Sequence, residues 1–249
     1  MKLYFVPGIN GLGKTSGVEK NDLFFKNFEF EKLKLNNEDI NKQFKEIYSF
    51  FGKSLMKNFF VLGGDHSISY PIFKSFFEKY KQDAKLLIFD AHFDLVKPMP
   101  EPTHEEWLRA IIELGFNPKN ILLVGIRRKS KNIDIKEINY AFEKKINIVY
   151  CDEFKEKLNE ILNFASNGKT YVSFDIDAFD SSIISCTSYP EKQGLFEEDV
   201  FSLLNKLCKL KSVYAFDLVE INFNKCSKKD KEKTLKVAKK FLKIFLNKI

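Results

Sequence analysis

Two of the three histidines in the chain sit inside carboxylate clusters. These are Gly63-Gly64-Asp65-His66-Ser67 and Asp90-Ala91-His92-Phe93-Asp94. A third cluster, Ser173-Phe174-Asp175-Ile176-Asp177-Ala178-Phe179-Asp180, adds carboxylates without a histidine. Imidazole nitrogens and carboxylate oxygens are the donors a divalent ion takes. With no thiolate among them, the set suits Mn²⁺ better than a structural zinc. Asp90, Asp94, Asp175 and Asp177, with His66 and His92, suffice for two divalent ions that share a carboxylate from each cluster. Such ions lie about 3.5–4 Å apart and acidify a shared water near neutral pH. An isolated Asp-x-His or Asp-x-Asp is as often a turn or a helix cap; three clusters at equivalent places point to metal.

The elements that must carry these groups are legible as apolar runs. Phe59–Leu62, Leu86–Phe89 and Tyr171–Phe174 each lead straight into one cluster. Further runs occur at Leu3–Val6, Ile121–Val124, Ile146–Tyr150 and Val213–Leu218. Helical spacing falls between most of them, at Ile40–Met56, His104–Leu114, Phe154–Phe164 and Glu197–Leu207. Strands alternating with helices, the strands continuously apolar, predict a three-layer α/β/α domain with a mostly parallel central sheet. No repeat or linker divides residues 1–249, so one domain is expected. In such sheets ligands bind beyond the carboxyl ends of the strands, where the three clusters fall. Extended-chain alternation would place Asp90, His92 and Asp94 on one side, and likewise Asp175 and Asp177.

Composition narrows the function classes. The net charge is +7, but only three of the basic residues are arginine and the lysines are dispersed. Nucleic-acid binding is therefore not expected. No apolar run reaches membrane-spanning length. A lysine-rich stretch from Lys231 to Ile249 carries Leu235, Ala238, Leu242, Phe245 and Ile249 at helical spacing. It reads as a closing helix on the sheet rather than a membrane-surface helix. Cys151, Cys186, Cys208 and Cys226 show no disulfide or metal spacing, which predicts a reduced, cytoplasmic protein.

In order and separation, the clusters resemble those of the ureohydrolase family of arginases, agmatinases and formiminoglutamases. The resemblance runs from about Phe59 to Phe223 and includes Gly125-Ile126-Arg127 and Asp217-Leu218-Val219-Glu220-Ile221-Asn222. It implies that His66, Asp90, Asp94 and Asp175 hold one manganese, and Asp90, His92, Asp175 and Asp177 the other. It implies hydrolysis of a guanidino or formimino C–N bond by attack of a metal-activated hydroxide on the planar carbon. Asp94 would accept a proton, His104 would shuttle one, and Glu220 would face the guanidinium of a small-molecule substrate. Asp180 would flank the site as a structural group. A homo-oligomer is also implied.

The chain departs from the family pattern at specific points. His104 is followed by Glu105 where the family has glycine. Asp94-Leu95-Val96 lacks the asparagine that helps arginases hold an amino-acid carboxylate. An agmatinase-like substrate is therefore favoured over arginine. A member that binds metal without turnover, in a regulatory or binding role, remains an alternative. A second is nucleotide binding: Gly8-Ile9-Asn10-Gly11-Leu12-Gly13-Lys14-Thr15 fits a phosphate-loop pattern after the Leu3–Val6 run. That reading needs a firm helix beginning at Lys14. The following Gly17-Val18-Glu19 instead resembles an N-terminal ureohydrolase loop.

Overall fold

A computed structural model describes residues 2–53 and 57–247. Eight parallel strands form one sheet in the order β2-β1-β3-β8-β7-β4-β5-β6. The strands are β1 (Lys2–Val6), β2 (Glu31–Lys32), β3 (Phe59–Gly63), β4 (Ala84–Phe89), β5 (Ile121–Ile126), β6 (Asn147–Tyr150), β7 (Lys169–Asp175) and β8 (Val213–Val219). Each of the seven apolar runs became a strand. The addition is β2, a two-residue edge strand whose charged side chains carry no apolar signal.

The helices are α1 (Ile40–Gly52), α2 (Ser69–Tyr80), α3 (Trp107–Glu113), α4 (Ile135–Lys144), α5 (Leu158–Ser166), α6 (Glu197–Leu207) and α7 (Lys228–Leu246). The helix expected over Ile40–Met56 stops at Gly52; residues 54–56, like Ile249 at the end of the closing helix, lie outside the described residues. The segment expected to be helical from His104 begins only at Trp107.

Alternation along the central strands builds two cores. On one face Leu62, Leu87, Phe89, Phe174 and Leu218 pack against Ile161, Leu204, Phe241 and Phe245 of α5, α6 and α7. On the other, Val61, Ile88, Leu123 and Tyr171 pack against Ile47, Phe73, Ile111 and Ala141 of α1 to α4. Their complete burial explains why the strands read as unbroken apolar runs rather than half-polar ones. This is the three-layer α/β/α architecture the sequence predicts.

One expectation needs correction, and one alternative can be tested. Cys186 and Cys226, 40 residues apart, are joined as a disulfide, which leaves Cys151 and Cys208 as thiols. Their spacing hid the pairing because it depends on β8 returning beside the loop that follows β7. The Gly8–Thr15 segment, moreover, does not open a helix at Lys14. It continues through turns into a short 3₁₀ segment, Val18–Phe24. Its groups fold around Asp65, whose Oδ2 accepts from the Asn10 amide at 2.8 Å and the Thr15 hydroxyl at 2.7 Å. The loop packs so closely that a Cβ on Gly64 would lie 1.8 Å from the Gly8 carbonyl oxygen. The helix start at Lys14 that the phosphate-loop reading requires is not formed.

Candidate metal centre

The three clusters follow β3, β4 and β7, which lie near one another in the sheet, and their carboxyl ends converge. The ligand candidates do not all stand on extended chain, as alternation would require. Beyond β4, the Asp90 carboxylate accepts from the His92 amide at 2.7 Å, and Asp94 adopts a left-handed φ of 51°. At the end of β7, Asp175 Oδ1 accepts from the Asp177 amide at 2.8 Å at the start of a 3₁₀ turn. One oxygen of each first aspartate thus shapes its turn while the other faces inward. The turn reading and the metal reading of these motifs hold together.

His66 and His92 occupy neighbouring positions around Asp90. His66 Nδ1 lies 3.1 Å from Asp90 Oδ2, 3.0 Å from Asp94 Oδ2 and 3.4 Å from Asp175 Oδ2. His92 Nδ1 lies 3.0 Å from Asp177 Oδ2 and 3.6 Å from Asp90 Oδ1. Two groups have ligand atoms all within 4.8 Å of one another: His66, Asp90, Asp94, and Asp90, His92, Asp177. Asp90 belongs to both. Asp175 stands beside the first group through its Oδ2.

The remaining ring nitrogens are set from behind. His66 Nε2 lies 2.9 Å from the Ser173 hydroxyl. Ser173 donates its own proton to Asp217 Oδ1 at 2.6 Å, and Asp217 also accepts from Tyr171 and Ser69 hydroxyls. Ser173 is therefore an acceptor toward His66, so that the neutral ring carries its proton on Nε2 and turns its Nδ1 lone pair toward the carboxylates. His92 Nε2 is 3.5 Å from Glu191 Oε1, a carboxylate fastened by Ser130 and Asn132. Trp107 Nε1 donates to Asp94 Oδ2 at 2.7 Å, and its ring lies against His66. Arg127, buried beyond β5, donates to the carbonyls of Asp177 and Phe179 and pins that turn. Asp180 accepts from the amides of Ser182 and Gly194, anchoring the following loop.

The electrostatics are those of a site built for cations. Burial pushes the Asp94 carboxyl up to about 7, with the Asp90 charge adding to the effect. Burial likewise raises Asp175, reinforced by Asp177 and Asp90. Burial opposes ionisation of Asp90, yet the neighbouring imidazoles of His66 and His92 hold it below the usual carboxylate range. Burial also opposes charge on His66, but the surrounding aspartates raise it well above the ordinary imidazole value. Without cations, these buried acids and imidazoles can neutralise one another only by holding protons. His66 Nδ1 and His92 Nε2 have no hydrogen-bond partner, and the donor set is oxygen with imidazole. The residues fit a divalent pair.

Above these groups lies a cavity of about 150 Å³, lined by His66, His92, Asp94, Asp175 and Asp177 below and by His104, Tyr189 and Glu220 around them. His104 is buried and stacked on Tyr189, with neither ring nitrogen hydrogen-bonded. Burial lowers its pKa, against the pull of Asp65 and Glu105. Glu220, at a left-handed φ of 64° just past β8, accepts from the His66 amide through Oε1 at 2.9 Å. Its Oε2 is unpartnered. Burial, with Asp175 and Asp65 nearby, raises this carboxyl well above its ordinary value.

All eight metal-ligating and catalytic candidates named from the sequence thus line or back one cavity: His66, Asp90, His92, Asp94, His104, Asp175, Asp177 and Glu220. Sequence reasoning did not find the supports Trp107, Ser173, Asp217 and Glu191. Ser173 and Asp217 carried a signal, since each interrupts an apolar strand run and they lie opposite one another across β7 and β8.

A parallel α/β sheet with clustered histidines and aspartates at its carboxyl edge defines the class. The arginase family model matches residues 12–246, and the chain belongs to that family. Agmatinase from Bacillus subtilis is 31% identical over 163 residues, covering 64% of this chain and 54% of that protein. Arginase from Entamoeba histolytica is 29% identical over 181 residues, covering 65% of this chain and 60% of that protein. These matches span little more than half the length of those relatives. In fold, the chain is similar to formimidoylglutamase from Bacillus subtilis, with a TM-score of 0.86, 19% identity, and coverage of 99% of this chain and 86% of that one. A Trypanosoma cruzi formiminoglutamase solved with Mn²⁺ gives 0.85, 18%, 99% and 92%.

Proposed function

We propose that this protein is a hydrolase that holds two divalent metal ions, Mn²⁺ in preference, and cleaves a guanidino or formimino C–N bond. The observation that carries this is Asp90, shared between two imidazole–carboxylate groups on the floor of one cavity. His66, Asp90, Asp94 and Asp175 would hold one ion, and Asp90, His92, Asp175 and Asp177 the other. When bound, the ions supply Lewis-acid activation of a water molecule near neutral pH.

The chain's own groups have separable tasks. The unpartnered Oε2 of Glu220 is free to accept hydrogen bonds from a planar guanidinium, a charge-assisted pairing that orients the carbon to be attacked. Asp94, held by Trp107 Nε1, takes up the proton the attacking water releases. His104, with both nitrogens unengaged beside the cavity, delivers a proton to the departing amine. Tyr189 holds its ring in place by stacking.

An agmatine-like substrate is favoured over arginine because Val96 lines the cavity just beyond Asp94. An apolar side chain there offers no donor to an α-amino-acid carboxylate. The test is product analysis on Mn²⁺-loaded protein given agmatine, 4-guanidinobutyrate, arginine and a formimino amino acid. Urea from agmatine at higher kcat/KM than from arginine is expected. Formamide or ammonia from the formimino compound alone would reassign the substrate, and no product from any would contradict hydrolysis.

A further inference from the structure

The cavity walls above the metal-ligand candidates and Glu220 are themselves acidic. Glu105 and Asp134 line the outer part, with Glu137 behind them, and among the described residues no lysine or arginine lines the cavity. Glu137 is buried and gives its oxygens to the backbone amides of Leu95 and Asp134, so it is committed to structure. Asp134 caps α4 through Oδ1 and is exposed at the mouth. Glu105 is half-exposed and projects from the loop that carries His104.

Lys14 partly offsets this charge. Its ammonium lies 3.1 Å from Glu105 Oε1 and 5.9 Å from the centre of the Tyr189 ring, outside the cavity lining. Both partners are solvent-accessible, and ion pairs of this kind contribute little and rearrange readily. The lysine singled out by the phosphate-loop pattern is thus a rim group leaning on the one glutamate that departs from the family's glycine.

From this placement we infer that Glu105 and Asp134 form a charge filter at the mouth. It favours guanidines whose far end is an ammonium and disfavours those ending in a carboxylate. The inference rests on guanidine hydrolysis at the same site and assigns residues to its selectivity. Like-charge juxtaposition penalises the wrong partner, while opposite charge across a partly wet mouth speeds capture of the right one. Because Glu105 Oε1 also lies 3.7 Å from His104 Nε2, its replacement can alter turnover itself. The informative quantity is therefore the ratio of kcat/KM for two substrates differing only at the far end.

The experiment compares agmatine with 4-guanidinobutyrate on the Mn²⁺-loaded protein and on Glu105→Gln, Asp134→Asn and the double variant. Asparagine keeps the helix cap, so Asp134→Asn retains the fold of α4. The expected ratio favours agmatine and falls by about tenfold in the double variant. It also shrinks as ionic strength rises in the parent protein, because exposed charges are screened over about 10 Å at 0.1 M salt. Lys14→Met should move the ratio the other way, toward agmatine. A parent protein that prefers 4-guanidinobutyrate, or a ratio unmoved by the double substitution, would overturn the filter. So would a ratio insensitive to salt, which would mean that shape makes the selection. Urea released with a flat ratio counts against the filter alone; urea from neither substrate would overturn guanidine hydrolysis and the filter with it.

Discussion

His66 points its Nε2 at the hydroxyl of Ser173, 2.9 Å away, while its Nδ1 faces three aspartates. The direction of that hydrogen bond is fixed one step further back, where Asp217 accepts the hydrogen bond that the Ser173 hydroxyl donates. A buried carboxylate on β8 thus selects the tautomer of an imidazole beyond β3.

Ser173→Ala removes the acceptor without adding volume. Metal affinity should fall by about tenfold to a hundredfold, as is usual when an outer hydrogen bond to a ligating histidine is lost. Titration of metal-free protein with Mn²⁺, followed by calorimetry, checks this. Unchanged affinity would mean that the relay does not orient His66.

His104→Ala should leave Mn²⁺ content intact and lower kcat by about 10²–10⁴-fold, the usual span for losing a positioned proton donor. Turnover equal to that of the parent protein would return His104 to a packing role against Tyr189.

Protons and metal compete for the same carboxylates. In the metal-free protein the Asp94 carboxyl is pushed up to about 7 by burial and by Asp90. Below that pH the group is protonated, and a cation must displace the proton. Mn²⁺ affinity should therefore weaken as the pH falls from 8 to 6, and binding near pH 6 should release protons. Calorimetry in buffers of different ionisation enthalpy measures that release; a pH-independent affinity with no proton release would contradict the assignment.

The cysteines give a chemical check on the fold. Denatured, unreduced protein should show two titratable thiols, Cys151 and Cys208, and four after reduction. In the native state, burial pushes the Cys151 thiol up to about 11 from its ordinary 9.0. At pH 8 it should alkylate about a hundredfold more slowly than an ordinary exposed thiol, because the thiolate is the reactive form. Four thiols without reductant would contradict the Cys186–Cys226 pairing.

Much of this arrangement is legible in the chain because burial on both faces leaves strands as bare apolar runs. Phe59, Leu86 and Tyr171 each begin a run that ends at a cluster, so the strands announced the site. What the runs do not carry is order across the sheet: that β8 lies between β3 and β7, bringing Asp217 beside Ser173, follows from crossovers with no local signature. Helix α4 is faint for a different reason. It is only ten residues long, and of these only Glu137 and Ala141 are buried, so it offers no run of buried apolar positions. Pro71 near the start of α2 reads as a breaker although the first helical turn tolerates it. The turn geometry at Asp94 and Glu220 escaped for a third reason. Left-handed backbone at an acidic residue is imposed by surrounding structure rather than by propensity.

The central claim is that the Asp90 carboxylate is shared between two ions. The most direct measurement is metal content per chain, by elemental analysis after Mn²⁺ loading, for the parent protein and for Asp90→Ala, with urea release from agmatine followed on the same samples. Two ions per chain with urea release in the parent, and loss of both in Asp90→Ala while the chain stays folded, is the predicted result. Two ions retained in Asp90→Ala, or none bound by the parent, would contradict it.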